Sequence, residues 1–280
     1  MIITVCVCGA GTMGSGIAQV AAQAGFKTVL FDVSPVALQK ARVSIDGNLQ
    51  YLLKKEKISA TELQAISGRI QFTDQITACT GEIIIEAIAE ILPAKVSLLN
   101  QLAAFNNEEV IFATNTSSLS VSALQEKVAV PQRVVGMHFF NPPGIMKLVE
   151  VVKGDLTDPN IADAVYEISR QMGKVPVFCQ DSPGFIVNRI ARHYYLEALQ
   201  LAEEGAASFE DIDRVMEACG FKMGPFRLMD LIGMDINLAV SQSIYEAFAR
   251  TERFKPSALQ AKKVAGHELG KKTGVGFYTY

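Results

Sequence analysis

The chain has 280 residues, 49% of them hydrophobic, and its formal net charge is −3 with a pI near 5.7. This length suffices for one large domain or two ordinary ones. The weak negative charge does not indicate a strong general affinity for nucleic acid or anionic membranes, although it leaves room for a local basic patch. No apolar run reaches the length of a membrane-spanning helix, and five cysteines without the spacing of a disulfide framework predict a cytoplasmic protein.

The first two-thirds of the chain alternates short apolar runs with helical patterns. The predicted strands are IITVCVC (2–8), KTVLFD (27–32), EIIIEAI (82–88), VIFATN (110–115), RVVGMHFF (133–140), KLVEVVKG (147–154) and VPVFCQ (175–180). Helical patterns lie between them, including a long stretch over 35–68 with a break near Ile58. Strands that alternate with helices indicate a doubly wound, mainly parallel sheet with helices on both faces.

The pattern changes at DSPG, residues 181–184. Ser182 followed by Pro183 is typical of a helix start, and we expect the next helix to run from about Phe185 to Glu204. Helical patterns fill most of the remainder, and SFED (208–211) fits a capping box. We therefore predict an α/β domain over 1–183 and an all-helical domain over 184–280.

A glycine motif follows the first strand. In CGAGTMGSG, Gly9, Gly11 and Gly14 have the GxGxxG spacing, with Thr12 and Met13 between the last two. The first glycine permits a tight turn, the second lets the backbone approach a pyrophosphate, and the third lets helix and strand pack closely. The start of the helix then offers N–H groups to phosphates. The strand before the motif and the helix after it favour a dinucleotide site.

The second strand ends in Asp32, at the separation expected for an acid that hydrogen-bonds a ribose 2′-hydroxyl. A carboxylate there would repel a 2′-phosphate, and the following residues, Val33 and Ser34, supply no arginine to bind one. NAD is therefore favoured over NADP. A glycine-rich turn with a surface aspartate is the alternative interpretation.

Cys6 and Cys8 form a C-x-C pair within the first predicted strand. Alternation places both on one face of the sheet, where small apolar side chains pack. A metal site would need two more ligands nearby, and the sequence indicates none. We therefore predict no metal.

The segment GMHFFNPPGIMKLVEVV places His138 and Glu150 inside apolar strands. Because the prolines of NPPG force a sharp turn, the chain is expected to double back and bring Glu150 towards His138. A carboxylate on one ring nitrogen would fix the tautomer, so that the other nitrogen can take a proton from a substrate hydroxyl. A satisfied core histidine is the alternative. His193 and His267, in helical segments, are expected to be structural.

Six segments carry a family resemblance. GAGTMGSGIAQVAAQAG, NTSSLS, GMHFFNPP, MKLVEVV, DSPGFIVNR and GPFRLMDLIGMD together resemble the L-3-hydroxyacyl-CoA dehydrogenase family, in particular its bacterial 3-hydroxybutyryl-CoA dehydrogenases. The resemblance implies a Rossmann-like NAD domain, a helical C-terminal domain that forms a homodimer, and an active site in the cleft between them. It implies interconversion of an (S)-3-hydroxyacyl-CoA and a 3-oxoacyl-CoA, with a short acyl chain.

The resemblance also assigns roles by position. It implies that His138 is the general base, that Glu150 orients it, that Ser117 hydrogen-bonds the 3-oxygen of the substrate, and that Asn188 holds the substrate near the histidine. It also implies cofactor contacts for Glu90, Lys95, Asn115 and Asn141, the last of which could instead face the substrate. Each has another interpretation: Ser117 could cap a helix, Asn188 could be an ordinary polar residue, and Glu90 and Lys95 could form a solvated pair.

The phosphates of coenzyme A are negatively charged, so we expect basic side chains to bind them. YLLKKEKIS supplies Lys54 and Lys57, which would share a helix face and which the resemblance places beside the coenzyme A tail. A solvated helix surface is the alternative.

Two other functions remain open from the sequence: a gulonate-type dehydrogenase with similar catalytic residues, and a non-catalytic, crystallin-like NAD-binding protein.

Overall fold

The computed structural model describes residues 4–280, so Ile2 and Ile3 of the first predicted strand lie outside the described residues. The chain divides into two compact units, the first ending at Ser182 and the second spanning Pro183–Tyr280. We call them the α/β unit and the helical unit. None of the described helices is both long and apolar enough to cross a membrane.

The α/β unit is built on one sheet of eight strands: β1 (Thr4–Cys8), β2 (Lys27–Phe31), β3 (Ile70–Thr73), β4 (Ile83–Glu86), β5 (Ile111–Thr114), β6 (Val134–Phe139), β7 (Leu148–Lys153) and β8 (Val175–Gln180). Their order is β3-β2-β1-β4-β5-β6-β7-β8. Neighbours are parallel except β6 and β7, which are antiparallel. The predicted doubly wound, mainly parallel sheet is confirmed.

One strand was not predicted. β3 has four residues, IQFT, and pairs with β2 alone at the edge of the sheet. The central strands are almost wholly buried and read as continuous apolar runs, because parallel strands are covered on both faces. A short, half-polar edge strand lacks that signal.

Six helices belong to this unit: α1 (Thr12–Gln23), α2 (Pro35–Lys54), α3 (Ala60–Gly68), α4 (Leu92–Ala103), α5 (Val121–Gln125) and α6 (Pro159–Gln171). The predicted break lies between α2 and α3, where Ser59 forms a capping box with Glu62. The expectation that Lys54 and Lys57 share a helix face is wrong, since α2 ends at Lys54. The positive φ of 55° at Glu56 then turns the chain away from the helix.

The helical unit contains α7 (Val187–Glu203), α8 (Phe209–Ala218), α9 (Pro225–Ile232), α10 (Met234–Ala247) and α11 (Ala258–Ala265). The helix predicted over about 185–204 is present as α7, but it does not start at Pro183, because Gly184 and Phe185 have positive φ angles of 75° and 49°, which no right-handed helix contains. Ser208 caps α8 as predicted. His193 lies in α7, whereas His267 follows the end of α11 and is not helical.

Two buried aspartates hold the last residues of the chain within the helical unit. Asp230 accepts hydrogen bonds from the backbone N–H groups of Phe277 (2.9 Å) and Tyr278 (3.0 Å). Asp213 accepts the Tyr278 hydroxyl at 2.7 Å. Because each carboxylate is almost completely buried, these bonds compensate for its desolvation.

Three cysteine side chains form a cluster on one face of the sheet. Cys6 and Cys8 point to one face as predicted, with their Sγ atoms 4.0 Å apart. The expectation of no further ligand nearby is wrong in part, because Cys79, distant in sequence, brings a third Sγ atom within 4.8 Å of both. All three side chains are fully buried and pack as small apolar groups.

Thiol titration of the native protein should show one rapidly reacting cysteine. Cys219 is exposed, whereas Cys6, Cys8 and Cys79 are buried. Burial, together with Glu150 and Asp181, raises the pKa of the half-buried Cys179 to about 12, which leaves little reactive thiolate. We expect DTNB to modify Cys219 quickly, and Cys219→Ser to abolish the fast phase. Fast modification of several thiols would contradict this packing.

Candidate active site

His138 and Glu150 lie directly opposite each other in the antiparallel pair of β6 and β7. Nδ1 of His138 is 2.6 Å from Oε2 of Glu150, a hydrogen-bond distance. The exposed fraction is 5% for His138 and 0% for Glu150. The predicted reversal at NPPG, and the approach of Glu150 to His138 that follows from it, are therefore present in the structure.

This contact accounts for two polar groups in apolar strands. The carboxylate accepts the hydrogen of Nδ1, which leaves the acid–base chemistry of the ring to Nε2. Burial of either group alone would be costly, whereas the hydrogen-bonded pair offsets that cost. The ring of Phe140 packs against the imidazole with ring centres 4.5 Å apart, which further restricts its orientation.

The loop after β5 is held beside the end of β6. Oδ1 of Asn115 accepts the backbone N–H of Phe139, the residue after His138, at 2.9 Å. Oε1 of Glu90 accepts the Thr116 hydroxyl at 2.5 Å and the Ser117 backbone N–H at 3.0 Å. Ser117 is therefore held at the same edge of the sheet as His138.

Lys95 joins two carboxylates. Its Nζ lies 2.7 Å from Glu86 Oε1 and 3.1 Å from Glu90 Oε2. Its exposed fraction is only 1%, so the solvated-pair interpretation is wrong for Lys95. Burial alone raises the pKa of Glu90, but Lys95 and the hydrogen bonds from Thr116 and Ser117 outweigh it and hold the pKa below its usual value.

Glu86 is a site residue that the sequence analysis missed. It ends β4, is fully buried, and also accepts the Thr114 hydroxyl at 2.7 Å. Its signal in the sequence is the same as that of Glu150, a carboxylate within an otherwise apolar strand. Glu86 connects the loops after β4 and β5, where the predicted cofactor residues Glu90 and Asn115 lie.

The glycine turn has the shape that a dinucleotide requires. Gly9 has a φ of 111°, and a Cβ on Gly14 would lie 1.7 Å from the carbonyl oxygen of Gly9, so neither position accepts a side chain. No atom lies within 4 Å of a Cβ placed on Gly11, which leaves room for a phosphate. α1 begins at Thr12 with no side-chain cap and no acidic residue in its first turn. Its first N–H groups therefore suit an anion.

Asp32 is held at the end of β2. Its Oδ2 accepts the Ala10 backbone N–H at 2.7 Å, and its Oδ1 accepts that of Ser34 at 2.9 Å. These bonds fix the carboxylate beside the glycine turn. The residues therefore fit a nicotinamide dinucleotide with an unmodified ribose. The Met13 side chain is half-buried and packs against the core, and its contact with the cofactor stays a prediction.

Asp32→Asn should weaken the discrimination against NADPH. The amide keeps an acceptor for the Ala10 N–H but removes the charge that repels a 2′-phosphate. We expect the ratio of kcat/KM for NADPH to that for NADH to rise about tenfold, the order of one charge-assisted hydrogen bond. Asp46→Asn, on an exposed position of α2, is the control. An unchanged ratio would argue against Asp32 as the ribose ligand.

A cavity of about 980 Å³ opens beside the glycine turn. It is bounded by Gly11 and Thr12, by the facing sides of α1 and α2, and by the loop between β6 and β7. Asn141 and Lys57 line it, whereas Lys54 does not. The cavity walls thus include only one of the two lysines that were predicted to contact coenzyme A.

Asn188 belongs to the other unit. It is the second residue of α7 and is half-buried. Within the α/β unit, the structure brings together His138, Glu150 and the loop that carries Ser117. The glycine turn, Asp32, Glu90 and Lys95 lie at the carboxyl ends of β1, β2 and β4, where ligands bind in doubly wound sheets.

A doubly wound sheet with this glycine turn and acid, and with a histidine–carboxylate pair at the ends of its strands, defines a nicotinamide-dependent oxidoreductase class. Residues 4–182 match the model of the 3-hydroxyacyl-CoA dehydrogenase NAD binding domain, and residues 184–280 match that of the 3-hydroxyacyl-CoA dehydrogenase C-terminal domain. The chain belongs to the 3-hydroxyacyl-CoA dehydrogenase family. The predicted family and the prediction of NAD are confirmed.

Individual relatives agree with this assignment. The chain is 40% identical to a 3-hydroxybutyryl-CoA dehydrogenase of Clostridioides difficile, over 98% of each chain. It is 43% identical to a 3-hydroxyadipyl-CoA dehydrogenase of Escherichia coli over 99% of its own length, but spans only 59% of that protein. The crystal structure of an (S)-3-hydroxybutyryl-CoA dehydrogenase from Ralstonia eutropha is similar, with a TM-score of 0.95, 40% identity, and coverage of 100% of this chain and 99% of that one.

Proposed function

We propose that this protein is an NAD-dependent oxidoreductase that interconverts an (S)-3-hydroxyacyl-CoA and the corresponding 3-oxoacyl-CoA. A four-carbon chain, as in 3-hydroxybutyryl-CoA and acetoacetyl-CoA, is the proposed substrate. The observation that carries the proposal is the buried 2.6 Å contact between His138 Nδ1 and Glu150 Oε2, a general base with its orienting carboxylate. The names of the relatives from Clostridioides difficile and Ralstonia eutropha support the four-carbon chain.

In the oxidative direction, Nε2 of His138 takes the proton of the 3-hydroxyl group. Glu150 stabilises the imidazolium that results, because a carboxylate on Nδ1–H favours the charged ring. Bound NAD would supply the hydride acceptor for carbon 3 of the substrate, and the glycine turn and Asp32 would hold the cofactor. Ser117 and Asn188 hydrogen-bond the 3-oxygen and hold it towards the imidazole. In the reductive direction, the imidazolium returns its proton to the 3-oxo oxygen.

A single assay tests the proposal. Consumption of NADH should be rapid with acetoacetyl-CoA, much slower with NADPH, and altered with a longer 3-oxoacyl-CoA. A free sugar acid, tested in the oxidative direction with NAD, should not react. Turnover of the sugar acid without turnover of the thioester would indicate the gulonate-type alternative. No turnover of either would indicate a non-catalytic NAD-binding protein.

Lys57→Ala should weaken binding of the coenzyme A nucleotide, whereas Lys54→Ala should not. Both lysines are exposed, but only Lys57 lines the cavity beside α2. We expect Lys57→Ala to raise KM about threefold to tenfold for acetoacetyl-CoA, the order of a partly screened ion pair with phosphate. A truncated thioester without the nucleotide should show no such change. Equal effects of Lys57→Ala on both substrates, or equal effects of the two variants, would contradict the assignment.

We further propose a cytoplasmic homodimer that associates through the helical unit. Large apolar side chains are exposed on its helices, among them Ile190 of α7 and Ile236 of α10, with exposed fractions of 68% and 50%. Where such side chains form a contiguous patch, the patch marks a protein interface. The five cysteines all carry free thiols, which suits a reducing compartment. Sedimentation equilibrium should give twice the chain mass.

A further inference from the structure

Arg192 is a buried cation without a counter-charge. It lies on α7 with an exposed fraction of 3%. Its Nη1 donates to the backbone oxygen of Asn237 at 2.8 Å and to the hydroxyl of Ser241 at 2.7 Å, both on α10. Among residues 4–280, no carboxylate pairs with this guanidinium, and burial lowers its pKa to about 10 with only Tyr195 acting in the opposite direction.

Arg192 and Asn237, which the 2.8 Å hydrogen bond joins, each have a side-chain N–H group without an acceptor. Nε of Arg192 and Nδ2 of Asn237 are the two buried side-chain polar atoms of the described residues that lack a hydrogen-bond partner. Asn237 is 1% exposed, and its Oδ1 is already taken by Gln260 Nε2 at 2.6 Å. Each unsatisfied buried donor is costly, and an unpaired buried charge is more so. The cluster thus combines a positive charge with two unused donors.

An anion with oxygen acceptors would satisfy all of these groups. A guanidinium presents its N–H groups in a planar fork that matches a carboxylate, with two parallel hydrogen bonds. A carboxylate between Arg192 and Asn237 would supply both the missing charge and the missing acceptors. A methyl group at the end of an acyl chain would supply neither a charge nor an acceptor.

The position on α7 indicates where such a carboxylate would come from. Asn188 and Arg192 are four residues apart within one helix, so they share a face, with Cβ atoms about 5–6 Å apart. Asn188 is the residue proposed to hold the 3-oxygen of the substrate. A few carbons of acyl chain would span from that oxygen to the guanidinium.

We propose that Arg192 and Asn237 bind a carboxylate at the far end of the acyl chain. The substrates of this protein then include 3-hydroxyacyl-CoA thioesters of dicarboxylic acids, in addition to chains that end in a methyl group. This inference rests on the proposed function, because it requires that the 3-oxygen be held near Asn188. Arg192 acts as a specificity-determining residue and not in the proton transfer.

The test compares two substrates of equal length. One is 3-oxohexanoyl-CoA, and the other is the same chain with a carboxylate in place of its terminal methyl group. We expect the wild-type protein to have a higher kcat/KM for the carboxylate-terminated thioester. Arg192→Met should lower the ratio of the two kcat/KM values on the order of 100-fold, the range seen when a buried charged partner is lost. The ratio for Arg192→Lys should lie between those of the wild-type protein and Arg192→Met, because lysine keeps the charge without the planar fork.

A second variant protects the test against misfolding of Arg192→Met. Asn237→Asp keeps the side-chain shape and places a negative charge beside the guanidinium, so it should remove the preference for the carboxylate-terminated chain. Chloride and acetate, added to the wild-type protein, should inhibit turnover of the carboxylate-terminated thioester only weakly. Strong competition by chloride, together with no preference between the thioesters, would overturn the proposal in favour of a simple anion site.

The outcomes separate this inference from the proposed function. Turnover of both thioesters without preference, or an equal loss on both in Arg192→Met, overturns the inference alone. Absence of turnover with both, while acetoacetyl-CoA is still reduced, also overturns the inference alone. Absence of turnover with acetoacetyl-CoA as well overturns the proposed function and this inference with it. A preference in the wild-type protein that Arg192→Met or Asn237→Asp abolishes supports both.

Discussion

His138→Gln is expected to lower kcat about 10²- to 10⁴-fold, the range over which a positioned general base contributes to catalysis. Glutamine can occupy the space of the imidazole on β6, but its amide cannot take a proton near neutral pH. Steady-state consumption of NADH with acetoacetyl-CoA measures the effect. NADH binding, followed by fluorescence titration, should remain within about twofold, since the glycine turn lies on other strands.

The matched variant is Glu150→Gln. It keeps the shape of the orienting side chain and removes its charge, so Nδ1 loses the partner that stabilises the imidazolium. We expect a loss of kcat smaller than that of His138→Gln. Turnover of His138→Gln close to wild type would refute the assignment. Loss of NADH binding together with turnover would instead indicate that the pair supports the fold.

Lys95→Met is expected to lower the free energy of unfolding by about 3–5 kcal/mol, the usual cost of removing one partner of a buried ion pair. The side chain of Lys95 is buried between Glu86 and Glu90, and its loss would leave Glu86 charged in a site without solvent. Urea unfolding followed by circular dichroism measures the change, with the slope of the transition as a check on two-state behaviour.

The double variant Glu86→Gln/Lys95→Met is the control for that experiment. It removes both charges together, so it should recover most of the lost stability. A double variant as unstable as Lys95→Met alone would show that packing of the lysine stem, and not its charge, holds this region. A cost below about 1 kcal/mol for Lys95→Met would place the pair among solvated ion pairs.

The histidine–carboxylate pair could be predicted because its signal is local. His138 and Glu150 lie in adjacent strands joined by a short proline turn, so the sequence separation is 12 residues and the register follows from the reversal. Glu86 carried the same signal but no partner nearby in sequence. Its hydrogen bond from Thr114 spans 28 residues, and its contact with Lys95 depends on how α4 packs against the sheet.

Contacts between distant segments could not be predicted. Cys79 lies 73 residues from Cys6 and 71 from Cys8 in the sequence, and it reaches them because it precedes β4, which is the neighbour of β1 in the sheet. Arg192 reads as a polar position on an amphipathic helix, and long basic side chains on helices usually face solvent. Its burial depends on the way α7 and α10 pack, which no local pattern specifies.

Two properties of the site depend on different parts of the β6–β7 hairpin: the strand pairing positions His138 and Glu150, and the loop lines the cavity. The ladder alone sets His138 opposite Glu150, and a one-residue slip would turn every side chain of β7 to the other face. The intervening loop, residues 140–147, takes no part in that pairing, yet its segment 141–145 lines the cavity. Loop length and composition can therefore diverge between relatives, or be altered by design, to change what the cavity accepts while the proton-transfer chemistry stays constant.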